Sequence, residues 1–140
     1  MTRDDAIEVL TEAGQAEDGR FPLLEAAIAC AIHDHPFRDP EPVRTLAAHA
    51  AERLADRIGA EGPDEALTET MASDLRLNGD LLNHDSPANT DVIEVAESRR
   101  GLSAALSIFY LDAARRTGIK VQGVDFPGHF LLRVETPEGP

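Results

Sequence analysis

The chain reads as an α+β protein: a helical N-terminal half, a buried central helix, and a small antiparallel sheet packed on that helix. Three observations predict this. From Ile7 to Leu75, apolar residues recur at helical spacing between proline and glycine punctuation. The stretch from Leu102 to Arg116 is apolar on nearly every side, the mark of a central helix. After Gly118 the pattern changes to short β-branched and aromatic runs around a Phe126-Pro127-Gly128 bend.

Each element follows from local chemistry. Asp4 or Asp5 can cap a first helix carrying Ile7, Val9 and Leu10, which Gly14 ends. Pro22 can open a second, with Leu23, Leu24, Ala27, Ile28, Ala31 and Ile32 as its apolar stripe and Pro36 as its stop. Cys30 lies on that stripe and reads as core. Asp39 precedes a third helix with Pro40 or Pro42 in its first turn. There Val43, Leu46, Ala47, Ala50, Leu54 and Ile58 repeat until Gly59 and Gly62. Pro63 opens a fourth, with Leu67, Met71 and Leu75 on one face. Residues 76–90 are polar, with Asn78-Gly79-Asp80 and Asp85-Ser86-Pro87 as turn signals. A short helix around Val92–Ala96 leads to the central helix, which Gly118 caps. Two strands follow, Ile119 to Phe126 and Phe130 to Val134. Pro137-Glu138-Gly139-Pro140 reads as a turn into a further strand, so residues 1–140 are expected to form one domain whose sheet is unfinished.

Composition narrows the function. A net charge of -13 disfavours nucleic acid and anionic membranes as partners and favours solubility. No apolar run approaches the ~20 residues that span a bilayer. Met1-Thr2-Arg3-Asp4-Asp5 is no secretory leader, so a cytoplasmic location is expected. The single cysteine, Cys30, excludes an intrachain disulfide framework. Cys30, His33 and His35 crowd one helix end, where three ligands give poor tetrahedral geometry. No glycine-rich loop follows a strand to hold a nucleotide. Neither a cofactor nor a metal is expected.

Three motifs carry a resemblance: Arg99-Arg100-Gly101, Ala114-Arg115-Arg116-Thr117-Gly118, and the block Gly123-Val124-Asp125-Phe126-Pro127-Gly128-His129-Phe130-Leu131. Over about Leu24 to Val134 the chain resembles the bacterial SirB-type family of transglutaminase-like proteins, within the papain-like superfamily. Asn78-Gly79 and Asp85-Ser86-Pro87-Ala88-Asn89-Thr90 are similar to a further family region, with one inserted residue. Arg76-Leu77 departs from the family's aromatic lead-in.

The resemblance implies a site. Active transglutaminase-like enzymes place a cysteine two residues after a glycine at the start of the central helix, where unpaired backbone N–H groups stabilise a thiolate and an oxyanion. Counted from Gly101, that position holds Ser103. The base position matches His129, and the orienting acid would lie past residue 140. Arg100, Gly101, Asn89 and Gly128 would flank the cleft. Two functions follow. One is a non-catalytic module binding a protein or peptide, with strand addition at the open sheet edge and a partner or second copy covering it. The other is a weak hydrolase or acyltransferase passing through an acyl-Ser103, with His129 as base. Without either role, Ser103 would simply bond its own helix backbone. Arg99, Arg100, Arg115 and Arg116 could recognise a carboxylate or phosphate, or instead pair with the chain's many acids or lie on solvated faces.

Overall fold

The computed structural model describes residues 2–16, 22–36, 38–79, 91–101, 103–126 and 129–134, with side chains for all of these except 78–79, 103–104, 122–126 and 129–133. Helices dominate them: α1 (Arg3–Ala13), α2 (Leu23–Asp34), α3 (Glu41–Ile58), α4 (Pro63–Thr68), a π-helical segment (Glu69–Asp74), α5 (Val92–Ser98) and α6 (Ser103–Thr117). Extended structure is slight. β1 (Asn78–Gly79) and β2 (Arg100–Gly101) pair in parallel, and β3 (Val121–Phe126) pairs antiparallel with β4 (His129–Val134).

The expected α+β class is overturned: this is a helical fold, not a helix packed on an antiparallel sheet. Helices supply nearly all of the buried apolar side chains. The β3–β4 hairpin leans on α6 as an appendage. Two strands offer too little surface to form a layer of their own.

The helix boundaries follow the punctuation, with informative differences. Thr2, not Asp4 or Asp5, caps α1. Its hydroxyl accepts from Asp5 N–H while the Asp5 carboxylate accepts from Thr2 N–H, a reciprocal capping box. Ile7 is 46% exposed, and Ala6 and Ala13 are buried in its place. Pro22 and Pro40 stand at the N-caps of α2 and α3, and Asp39 accepts from Glu41 N–H. Gly118 ends α6 with φ +82, a conformation that suits a residue without Cβ.

The core lies where α2, α3, α5 and α6 meet. Ile28, Ile32, Val43, Leu54, Val92, Ile93 and Phe109 are fully buried there. Met71 joins them from the π-helical segment, which no feature of the sequence predicts. The central helix is more one-sided than its composition suggests: Ala105, Phe109, Ala113 and Ala114 are buried, while Leu106, Ile108 and Leu111 are partly exposed. Cys30 is exposed rather than core. Ala26 and Ala29 are buried instead, beside Leu24, Ile28, Ala31 and Ile32 of the expected stripe.

Arginines fasten α3 and α5 around this core. Arg44 forks onto Glu25 of α2 at 3.0 and 2.9 Å, and Arg57 forks onto Asp74 at 2.9 and 2.8 Å. Arg38 bridges Asp91 and Glu94 at the start of α5, at 2.7 and 3.1 Å. The fork geometry matches a planar guanidinium to a planar carboxylate.

Candidate functional site

The candidate site is the junction between α5 and α6. Asp91 starts α5: its Oδ1 accepts from the N–H groups of Ile93 and Glu94, and its Oδ2 from Arg38. After seven helical residues the helix stops at Arg99, which takes a left-handed conformation, φ 64 and ψ 19. That conformation costs a residue with a Cβ about 1 kcal/mol.

Side-chain bonds hold Arg99 there. Its Nε donates to Ala96 O at 3.1 Å, satisfying a carbonyl at the end of α5. Its Nη1 donates to Leu75 O at 2.7 Å, where the π-helical segment ends. One guanidinium thus joins two helix C-termini whose carbonyls carry partial negative charge. Ser98 reinforces the turn: its hydroxyl donates to Arg100 O and accepts from Arg100 N–H, both at 3.2 Å.

The chain then enters β2. Arg100 pairs with Asn78 and Gly79 with Gly101 across the parallel bridge. Arg100 is exposed and Gly101 buried. Ser103 is the first residue of α6, so its backbone lies at a helix N-terminus whose first N–H groups have no partner within the helix. α6 packs against β4, whose first residue is His129, opposite Phe126. The fold therefore brings together the helix carrying Ser103 and the strand carrying His129. The side chains of both residues lie outside the described structure, as do Asn89 and Gly128 entirely.

Arg99 is the residue that sequence reasoning missed. The Arg99-Arg100 pair is visible in the sequence, but nothing local distinguishes the roles of its two members. The carbonyl of Leu75, 24 residues back, is a partner that no local pattern reveals. The remaining arginines divide: Arg116 lies 2.9 Å from Asp112, whereas Arg99 binds carbonyls rather than acids.

Cys30 lines a cavity of about 540 Å³ between α2, α5 and α6, with Ala27, Arg38, Asp91 and Ile108. Partial burial and then Asp34 push its thiol pKa up, the opposite direction from the lowered pKa of reactive cysteines. Among the described residues, no group of three or more His, Cys, Asp or Glu could hold a metal ion. Among them too, no helix is long and apolar enough to cross a membrane.

The profile of the transglutaminase-like superfamily matches residues 41–140, which span α3 through β4 and the whole junction. The chain belongs to that superfamily. This transglutaminase-like chain is also similar to bacterial proteins of the UPF0162 group. One, from Xylella fastidiosa (strain Temecula1 / ATCC 700964), is 28% identical over 127 residues, covering 88% of this chain and 45% of that protein. Another, from Pseudomonas aeruginosa, is 32% identical over 122 residues, covering 80% of this chain and 43% of that protein. The chain thus spans less than half the length of these relatives. F-box only protein 21 of Mus musculus is 30% identical over 69 residues, 49% of this chain and 11% of that protein. No solved structure matches the chain.

Proposed function

We propose that this transglutaminase-like domain is a non-catalytic binding module of the SirB type, which holds an extended peptide or protein segment between α6 and β4. The observation that carries the reading is serine at position 103, two residues after Gly101 at the start of α6. A helix N-terminus readily lowers the pKa of a thiol. A hydroxyl ionises at far higher pH, so a frame suited to a thiolate and imidazolium does not transfer to oxygen by exchange of one atom. The bound segment would add to an edge of the β3–β4 hairpin, where main-chain bonds give affinity and alternate side chains give specificity.

One observation favours a second reading. α6 packs against β4, so Ser103 and His129 sit on neighbouring elements, as a serine nucleophile and its base require. In that case His129 takes the Ser103 proton as the hydroxyl attacks an acyl group, and the first N–H groups of α6 stabilise the oxyanion.

A fluorophosphonate that reacts with activated serines separates the two, read by intact mass and peptide mapping with His129→Ala as control. The binding reading expects no adduct on folded protein. A single adduct on Ser103 that disappears in the control establishes the enzyme instead. The binding function itself is tested by selecting peptides from a random display library. Selected peptides should bind Ser103→Ala and His129→Ala as well as the wild type, and lose affinity at least tenfold on Ser103→Trp. Peptides indifferent to Ser103→Trp would place binding elsewhere.

A further inference from the structure

We infer that Arg99 is a positioning residue, which sets the register of the β1–β2 bridge and thereby the placement of the first turn of α6. It rests on the functional reading above only for what that turn binds. Three features converge on this one side chain. Its backbone is left-handed, so it turns the chain from α5 into β2 at a single residue. Its guanidinium holds Ala96 O, three residues before the turn, and Leu75 O, three residues before β1. The two strands of the bridge are therefore tied to one rigid planar group at nearly equal distances from their first residues. Gly101, paired with Gly79 and buried, then hands the chain to Ser103.

A two-residue bridge has too few backbone bonds to hold its own register. A side-chain fork supplies what the strands lack, because guanidinium fixes two acceptors in one plane and ammonium cannot. Arg100, by contrast, is exposed and meets the Ser98 hydroxyl through its backbone. Arg99 is committed to the frame through its guanidinium.

The test compares Arg99→Gly, Arg99→Ala and Arg99→Lys in the full chain by amide chemical shifts and hydrogen exchange. Glycine is the decisive variant. It relieves the left-handed backbone and removes the fork, so strain and clamp predict opposite results. The clamp predicts that Gly and Ala speed exchange at residues 79, 101 and 103 at least tenfold more than in the interior of α3. Lys should fall between them and the wild type. Exchange at those amides within twofold of wild type in Arg99→Gly overturns the proposal, as does a uniform rise across the whole molecule. A library-selected peptide should lose about tenfold in affinity on Arg99→Ala. Shifted amides with unchanged peptide affinity overturn the positioning role. If the wild type selects no peptide, the functional reading fails, and the amide comparison still decides whether Arg99 sets the turn.

Discussion

The helical scaffold and the α5–α6 junction are stabilised in opposite ways. Around Phe109, α2, α3 and α6 exclude water from wide apolar faces, and Ile28, Ile32 and Leu54 are fully buried. Their stability is spread over many contacts, each small. The junction consists of a seven-residue helix, a left-handed arginine, a two-residue bridge and the first turn of α6. It depends on a few directional bonds, chiefly those of Arg99 and Ser98. A distributed core resists local change. A frame built from a few bonds holds backbone N–H groups in a set place but is sensitive to the loss of one side chain. That division suits the site proposed above, at a helix N-terminus.

The comparison can be broken most forcefully in the scaffold. Phe109→Ala empties the centre and should lower stability by about 3–5 kcal/mol, measured by denaturant unfolding. Because the scaffold carries the junction, exchange there should rise along with the rest. A junction that stays protected while the helices loosen would mean that the two regions are energetically independent. The Arg99 variants probe the converse, a junction loosened on an intact scaffold.

A smaller effect lies between the two regions. Thr70, in the π-helical segment, is fully buried, and its hydroxyl has no hydrogen-bond partner among the described residues. Thr70→Val keeps the shape and removes the orphaned donor, so stability should rise by about 1 kcal/mol in the same unfolding assay. A loss instead would reveal a partner for the hydroxyl.

The smallest effect concerns the rim. Arg44→Gln should cost about 0.5 kcal/mol at pH 7, since the Arg44–Glu25 pair is partly solvated. The hydrogen bond from Arg44 holds the Glu25 carboxyl below its ordinary 4.5. A carboxyl whose folded pKa is depressed contributes stability above its unfolded pKa, and that stability is lost as pH falls through the folded value. The gap between Arg44→Gln and wild type should therefore close as pH drops from about 4.5 through the lowered Glu25 pKa. Asp112 has the opposite sign. Burial raises its pKa against the pull of Arg116, so its contribution is present below 3.8 and fades as pH rises through the raised value. Thermal midpoints between pH 3 and 7 read both.

Much of the helical framework was legible in the sequence. Pro22, Pro63, Gly14, Gly59 and Gly118 mark helix ends because proline and glycine act on the backbone of their own turn. The faces were less legible. Cys30 sits one position from buried Ala29 and Ala31, and in so alanine-rich a helix the apolar pattern does not settle which small residue meets solvent. The fold class was not legible because the strand signals after Gly118 look like a sheet layer, although β3 and β4 alone cannot bury one. The site motif was legible as a string of residues around Gly101. The tie that holds it was not.

Sequence alone determined where most helices stop and start, the apolar stripes that α2 and α3 turn inward, and the serine at the head of α6. These depend on interactions within a few residues. Only the tertiary structure decided that Arg99 would clamp two helix ends, that residues 69–74 would widen into a π-helix, and that Asp74 would answer Arg57. Each of these is settled by groups distant in sequence, whose approach is a property of the packed core and of no single segment.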